Sequence, residues 1–404
     1  MFIYTNSHAV DNTIGGKEVY IVGVISNKIQ KENYIQYKIS DNLVNDYTKK
    51  SNLKIGQKVK IEGTAKSFED LLYEEFDYGR YLKSTGINNL IYLKSYKIIG
   101  KDLFYSKIGE IKEYITDKVR YLYKINSGFI ESLLIGNKNS LSQDEEELFN
   151  KTGTSHIISI SGMHVGIITS IITILVNGNG SIYKMSIIFA IIMMYGVLVG
   201  STPSVIRAIL FLVLVYISQY IDRKKDGISS LSLIAVLLSL NNPFIIYNIS
   251  FQLSFLATLS IIYFYGYINR VLKVKILAVT IAANILVLPI TYYQFEGIAI
   301  FSIISNILIV PFISIIMILA IVSVCLFNIN IYLSKLIVEI NNIIIDYVYI
   351  ILENIYTLNY SYIEIENPSI WYVIIYYILI FGYMLIKEEK TIKEQKNELQ
   401  GYYK

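Results

Sequence analysis

Cysteine is nearly absent: a lone Cys325 in 404 residues excludes an intrachain disulfide and any site built from several thiolates. Histidine is almost as scarce, with only His8, His156 and His164. No stretch reads HExxH, HxHxDH, GxxxxGK[ST] or GxSxG, so the zincin, metallohydrolase, P-loop and α/β-hydrolase chemistries lack their residues. The chain is therefore expected to hold no metal or cofactor and not to be an enzyme. Charge is thin too, at 17% of residues against roughly 25% in soluble domains. The net charge of +4 is too small to make a polybasic nucleic-acid surface. The opening MFIYTNSHAVDNTIGG has neither the basic nor the apolar stretch of a signal peptide.

What is abundant is apolar surface, unevenly spread. Hydrophobic residues make up 53% of the chain and mean hydropathy is +0.47. Residues 1–155 nevertheless hold 42 of the 68 Lys, Arg, Asp and Glu side chains. A charged part precedes an apolar one. In the first part, 19–25, 34–39, 58–65 and 89–99 alternate as short strands rich in β-branched and aromatic residues. They predict a small all-β barrel over 17–100, after an unassigned 1–16. Residues 101–154 read as amphipathic connecting helices. Ile108, Ile111, Ile115, Leu122 and Ile125 share one helical face, and Ser142 with Glu145 forms a capping box.

From residue 155 the pattern becomes that of a polytopic helical bundle. Apolar runs at 156–176, 182–200, 204–221, 228–240, 251–268, 276–294, 298–327 and 369–386 approach the ~20 residues that cross a bilayer. The run 298–327 is overlong and holds Pro311, which predicts a half-membrane re-entrant piece followed by a full span. The run 331–356 either spans or lies on the surface, with Lys335, Glu339, Asp346 and Glu353 along one stripe. If it spans, there are about nine crossings. One side then collects thirteen Lys and Arg residues and the other only Arg207. That asymmetry predicts an external barrel and a cytoplasmic charged tail, 387–404.

Within this frame, Gly153-Thr154-Ser155-His156-Ile157-Ile158-Ser159-Ile160-Ser161-Gly162-Met163-His164-Val165-Gly166 resembles the signature of the ComEC family of competence proteins. Pro203-Ser204-Val205-Ile206-Arg207-Ala208, Pro243, Phe251-Gln252-Leu253-Ser254-Phe255-Leu256-Ala257, Pro289 with Phe295, and Ser305-Asn306 with Pro311 follow in the family's order. Upstream, Glu75-Phe76-Asp77-Tyr78 with Tyr81-Leu82 and Gly86-Ile87 is similar to the end of that family's OB-like domain. The resemblance implies an OB-like barrel, a competence-type membrane core over 155–330 and additional membrane helices over 331–386. It further implies a channel for single-stranded DNA across the bacterial cytoplasmic membrane, served by an external DNA receptor and a cytoplasmic helicase-like ATPase, with homo-oligomers conceivable. The sequence looks like an N-terminally shortened relative without the metallo-β-lactamase-like domain that ends many members. A small-molecule transporter, an intramembrane enzyme using Ser161 and His164, and an inactive fragment of such a channel are the alternatives.

Candidate pathway residues are His156, Ser161, Gly162, His164, Arg207, Gln252, Ser254, Asn284 and Asn306. Ser161 and His164 are three apart, the spacing of a nucleophilic pair, yet no carboxylate nearby in sequence could orient the imidazole. The plainer reading is a hydrogen-bond cluster where Gly162 and Gly166 let helices approach closely. Arg207 follows Thr202 (N-cap) and Pro203, and either binds phosphate or snorkels to headgroups. Gln252 and Ser254 sit on a hydroxyl stripe with Ser250 and Thr258, and Asn284 on another with Thr280 and Thr291. Such stripes either join helices or wet a passage. In the barrel, Tyr34, Tyr37, Phe68 and Tyr73 are candidates for base stacking.

Overall fold

The computed structural model describes residues 16–72, 77–176, 182–220 and 226–402. Glu75 and Phe76 of the family pattern, Tyr73, His8, and the basic cluster Arg223, Lys224 and Lys225 lie outside the described residues.

Apolar–polar alternation builds β1 (Glu18–Gln30), β2 (Ile35–Ile39), β3 (Asn42–Asp46), β4 (Gln57–Lys66) and β5 (Asn89–Lys101). They close into a barrel in the order β1-β2-β3-β5-β4, with β1 pairing back onto β4 and β3 running parallel to β5. The strand β3 escapes a sequence reading because NLVND offers only two apolar residues in a polar stretch. Ile25, Tyr37, Val44, Val59 and Ile61 fill the barrel, and each such aliphatic side chain contributes about 1.5–3 kcal/mol on burial. Gly56, at φ 88°, seats the next helix on the barrel: a Cβ there would come within 2.3 Å of the Ser106 nitrogen.

Four helices connect barrel and bundle: α1 (Tyr78–Ser84), α2 (Leu103–Tyr123), α3 (Ser127–Ile135) and α4 (Gln143–Lys151). The expected capping box opens α4, with Ser142 accepting from the Glu145 nitrogen and the Glu145 carboxylate accepting from the Ser142 nitrogen. Ile125 leaves the face assigned to it, standing 95% exposed beyond the end of α2. The helix α3 is buried along nearly its whole circumference, so it has no amphipathic signature to find.

The apolar part forms α5 (Gly162–Leu175), α6 (Ile182–Val199), α7 (Pro203–Tyr220), α8 (Gly227–Asn241), α9 (Ile249–Leu272), α10 (Lys275–Gln294), α11 (Ser302–Leu326), α12 (Ile331–Tyr356) and α13 (Ile370–Tyr402). Among the described residues four are long and apolar enough to cross a membrane: α9, α10, α11 and the Ile370–Lys390 part of α13. The helices α5 to α8 are apolar but shorter. Three expectations are corrected. Within the run 298–327, Ser302–Leu326 is one continuous helix rather than a re-entrant piece plus a span, because Pro311 sits on an exposed side while Ile309, Ile313 and Ile316 anchor both flanks in the core. Residues 156–160 are not helical, and α5 begins only at Gly162. The tail 387–404 is not a separate segment, since α13 continues through it to Tyr402.

Contacts with the barrel identify one end of the bundle. Asn242 donates to the Lys83 and Ser84 carbonyls, docking α1 on the turn Pro243–Tyr247, and Asn27 of β1 lies beside Gly200. Further along, β6 (Gly297–Ala299) pairs antiparallel with β7 (Tyr362–Glu364), tying the α10–α11 connection to the α12–α13 connection.

Candidate functional site

The corner where α5, α7 and α9 meet brings together five of the expected residues, Ser161, Gly162, His164, Arg207 and Ser254. Ser161 caps α5: its hydroxyl accepts from the Met163 nitrogen at 3.3 Å, and its own nitrogen donates to His164 Nδ1 at 3.2 Å. An Nδ1 that accepts leaves the imidazole proton on Nε2. His164 is fully buried and its Nε2 has no partner. Ser161 Oγ stands 3.3 Å from the same Nδ1. The expected Ser–His contact thus exists, as a reciprocal helix cap.

Gly162 is what lets α7 approach. A Cβ there would lie 3.3 Å from Arg207 Nη2 and 3.6 Å from the Ala208 side chain. Gly166 has nothing within 4 Å of the same position, so the close approach expected of it is not made. Arg207 is half-buried and reaches across to α9, where Nη1 donates to the Thr258 hydroxyl, and Thr258 in turn donates to the Ser254 carbonyl at 2.8 Å. Its guanidinium therefore points between helices, towards α9. Thr202 starts α7 through its carbonyl, which accepts from the Ile206 nitrogen at 3.0 Å. Its hydroxyl has no partner, so the expected side-chain cap is not formed.

The buried side-chain donors without partners, among the described residues, all lie on or just before α5, α6 and α7. Buried and unpaired in this corner are His164 Nε2, Thr202 Oγ1, Arg207 Nε and the hydroxyl of Tyr195 on α6, the last packed with Val165 and Val205. Buried polar groups usually find partners, and all four of these can donate. No carboxylate bonds to any of them among the described residues, so the corner has the chemistry to receive an anion. Tyr195 was missed by sequence reading, because one tyrosine in MMYGVLV looks like any other apolar helix residue. Thr258 was read only as one of a stripe.

The remaining candidates sit elsewhere. His156 is exposed in the otherwise largely buried, non-helical stretch before α5, so it does not share a helix face with His164. Gln252 donates to the Ile246 carbonyl at 2.8 Å and braces the barrel-side turn. Asn284 donates back to Thr280 in its own helix at 2.9 Å, whereas the bond joining α9 to α10 comes from Ser260, whose hydroxyl donates to the Ala282 carbonyl. Asn306 is buried in α11 with its Oδ1 unpaired. No group of three or more His, Cys, Asp or Glu is placed to hold a metal among the described residues.

On the barrel, two of the expected stacking residues are core. Tyr37 is fully buried with its hydroxyl donating to the Ser51 carbonyl at 3.1 Å, and Phe68 packs beneath α1 with Leu71 and Leu82. Tyr37 points inward from its strand, whereas Phe68 lies in the bend after β4 and is covered by α1. Tyr34 belongs instead to a surface ladder: its ring is 5.0 Å from that of Tyr47, which is 5.5 Å from that of Tyr92, with the Lys66 ammonium 5.9 Å over Tyr92. Tyr47 and Tyr92 come from β3's end and β5, adjacent only through the parallel pairing, so no local signal could have joined them.

Residues 133–390 match the family described as competence protein. The chain is 24% identical over 326 residues to ComE operon protein 3 of Bacillus subtilis (strain 168), covering 79% of this chain and 42% of that protein. It thus spans less than half the length of the curated relative it matches. Among solved structures, an asparaginyl-tRNA synthetase from Pyrococcus horikoshii is 15% identical with a TM-score of 0.17, covering 30% of this chain and 33% of that one. A likeness that slight carries no argument.

Proposed function

Because this chain belongs to the competence protein family, we propose that it acts in DNA uptake by passing single-stranded DNA across the bacterial cytoplasmic membrane. The observation that carries this reading is the set of buried, unpaired groups able to donate at His164, Tyr195, Thr202 and Arg207. A strand of DNA presents one phosphate after another, and a guanidinium set among neutral donors, with no competing carboxylate, favours a polyanion. Anchoring Arg207 to a single neutral hydroxyl leaves its charge uncompensated, which suits passage rather than tight capture.

In this reading the chain is a multi-pass membrane protein with the barrel outside and α13 ending in the cytoplasm. The barrel contacts at Gly200 and Asn242 put the α6–α7 and α8–α9 connections on its side, while Lys184, Arg270, Lys273 and Lys275 lie at the opposite ends of their helices. That distribution follows the preference of basic residues for the cytoplasmic face. The barrel order supports an OB-like domain, and the Tyr34–Tyr47–Tyr92 ladder with Lys66 offers stacked rings and a cation to unpaired bases. The energy comes from a partner, a helicase-like ATPase on the cytoplasmic side, and delivery from an external DNA receptor. The runner-up is an intramembrane enzyme, favoured by the 3.3 Å between Ser161 Oγ and His164 Nδ1.

Import of labelled DNA, normalised to membrane-inserted protein, tests the reading in cells where the gene is replaced by its Arg207→Gln form. Import should collapse at unchanged abundance. Equal normalised import would remove the corner from the pathway.

A further inference from the structure

The hairpin α11–α12 is flanked along its whole length by a charged strip of the connecting segment. At its tip, the Lys118 ammonium sits 4.2 Å over the Phe327 ring and Asn328 donates to the Tyr114 hydroxyl at 3.0 Å. Further along, Lys335 stands 5.9 Å over Tyr121, and Asn126 donates to Asn342 at 3.1 Å and Asp346 at 3.5 Å. Towards the far end, Tyr349 donates to Glu145 at 2.6 Å and Tyr356 to Glu147 at 3.2 Å. Beyond it, Lys151 pairs with Glu364 at 3.4 Å.

A helix of 26 residues is about 39 Å long, enough to cross about 30 Å of hydrocarbon. If α12 crossed, the strip beside it would cross with it. Asp117, Arg120, Lys124, Asp144 and Glu147 would then stand exposed to lipid at depths from one leaflet to the other. Ionised side chains facing lipid are strongly disfavoured. The charges of α12 raise the same objection, since Lys335, Glu339, Asp346 and Glu353 are all exposed on the strip's side.

About a quarter turn further round, α12 exposes Leu336, Ile340 and Ile343, and α11 exposes Ile304, Leu308 and Ile315. The third side of α12, through Val338, Ile345 and Leu352, is core. One buried side, one charged side and one bare apolar side are the pattern of a helix held on a protein at a lipid–water boundary. The high hydropathy of α11, 3.1, fits the same pattern, since it has the largest share buried inside the protein of the four long apolar helices.

We propose that α11 and α12 form a hairpin lying along the bilayer surface on the barrel's side, with its apolar face set into the lipid and its charged stripe in water. Of the nine crossings expected from the sequence, seven then remain, the long α9, α10 and α13 and the shorter apolar α5–α8. Because a hairpin returns to the side it left, the side of α13's end is unchanged. Lys335 moves to the barrel's side, which leaves twelve Lys and Arg residues against two and keeps the asymmetry. Glu339, Asp346 and Glu353 leave the DNA path, so the passage has no acidic stripe to repel phosphates.

This inference rests on the multi-pass placement proposed above but not on DNA import, and its test reads only sides of a membrane. In the full chain carrying Cys325→Ser, single cysteines are placed by Asn328→Cys at the hairpin tip, Lys60→Cys on the barrel and Lys273→Cys after α9. A membrane-impermeant maleimide is applied to intact and to permeabilised cells. Position 328 should label with position 60, opposite to position 273. Labelling of 328 together with 273 would overturn the proposal, and Ile329→Cys repeats the test should Asn328→Cys fail to insert. Positions 60 and 273 on one side would sink the multi-pass reading and the hairpin's placement with it.

Discussion

Arg207 on α7 donates through Nη1 to the Thr258 hydroxyl on α9, while its Nη2 lies over the spot where Gly162 of α5 lacks a side chain. One guanidinium thereby joins three helices far apart in sequence. Its bond to a neutral hydroxyl orients the charge without cancelling it.

Arg207→Lys retains the charge but loses the planar fork. A lost charge-assisted hydrogen bond costs about 1.5–3 kcal/mol. Normalised DNA import should therefore lie between wild type and Arg207→Gln. Thr258→Val, which keeps the shape and removes the acceptor, should resemble Arg207→Lys. Import by Thr258→Val equal to wild type would show that the bond does not position the arginine.

Ser161→Ala removes a helix cap, which costs about 0.5–2 kcal/mol, and should lower abundance while leaving import per molecule close to wild type. A nucleophile would behave in the opposite way. Normal abundance with complete loss of activity in Ser161→Ala would favour the enzyme reading.

Binding of fluorescent single-stranded oligonucleotide to the full chain in detergent should weaken in Tyr47→Ala. Stacking contributes about 1–3 kcal/mol per base, so the dissociation constant should rise roughly five- to 150-fold. Tyr37→Phe, inside the barrel, should bind as wild type and only lose stability. Unchanged binding by Tyr47→Ala would show that the ladder is no platform for bases.

Asp46 makes the barrel sensitive to acid. Burial alone would raise its carboxyl, but hydrogen bonds from the Ser51 and Thr48 hydroxyls and backbone nitrogens outweigh that and hold its pKa below the ordinary value. A carboxyl depressed on folding contributes stability that is complete above its unfolded pKa and lost as pH falls through the folded one. Thermal unfolding of the barrel should shift to lower temperature below about pH 4, and Asp46→Asn should flatten that dependence. An equally acid-labile Asp46→Asn protein would assign the effect elsewhere.

Glu131 is fully buried in α3, where its carboxylate accepts from Arg120 at 2.7 Å and from Ser140 at 2.6 Å. Glu131 carries the buried end of this network, and breaking such a part-buried charge-assisted bond costs about 1–3 kcal/mol. Glu131→Ala should therefore lower the yield of folded protein, while Arg120→Ala, whose side chain is 59% exposed, should cost less. A milder effect for Glu131→Ala than for Arg120→Ala would reverse this ranking.

Local chemistry was legible in the sequence wherever it depended on neighbours along the chain. Four of the five barrel strands, the Ser142 cap and the long apolar helices follow from period, composition and caps within a few residues. So did the link between Ser161 and His164, three residues apart on one helix turn. The burial of Tyr37 and Phe68 was not legible, because an aromatic ring reads alike in sequence whether tertiary packing covers it or leaves it on the surface. Nor were the Arg207–Thr258 bond, the Tyr34–Tyr47–Tyr92 ladder or the run of the strip 114–151 along α12. Periodicity specifies which side of a helix or strand is apolar, but an apolar side packs equally well against protein or lipid. Only the tertiary contacts, which bring charged residues alongside α12 from end to end, decide which of the two it meets.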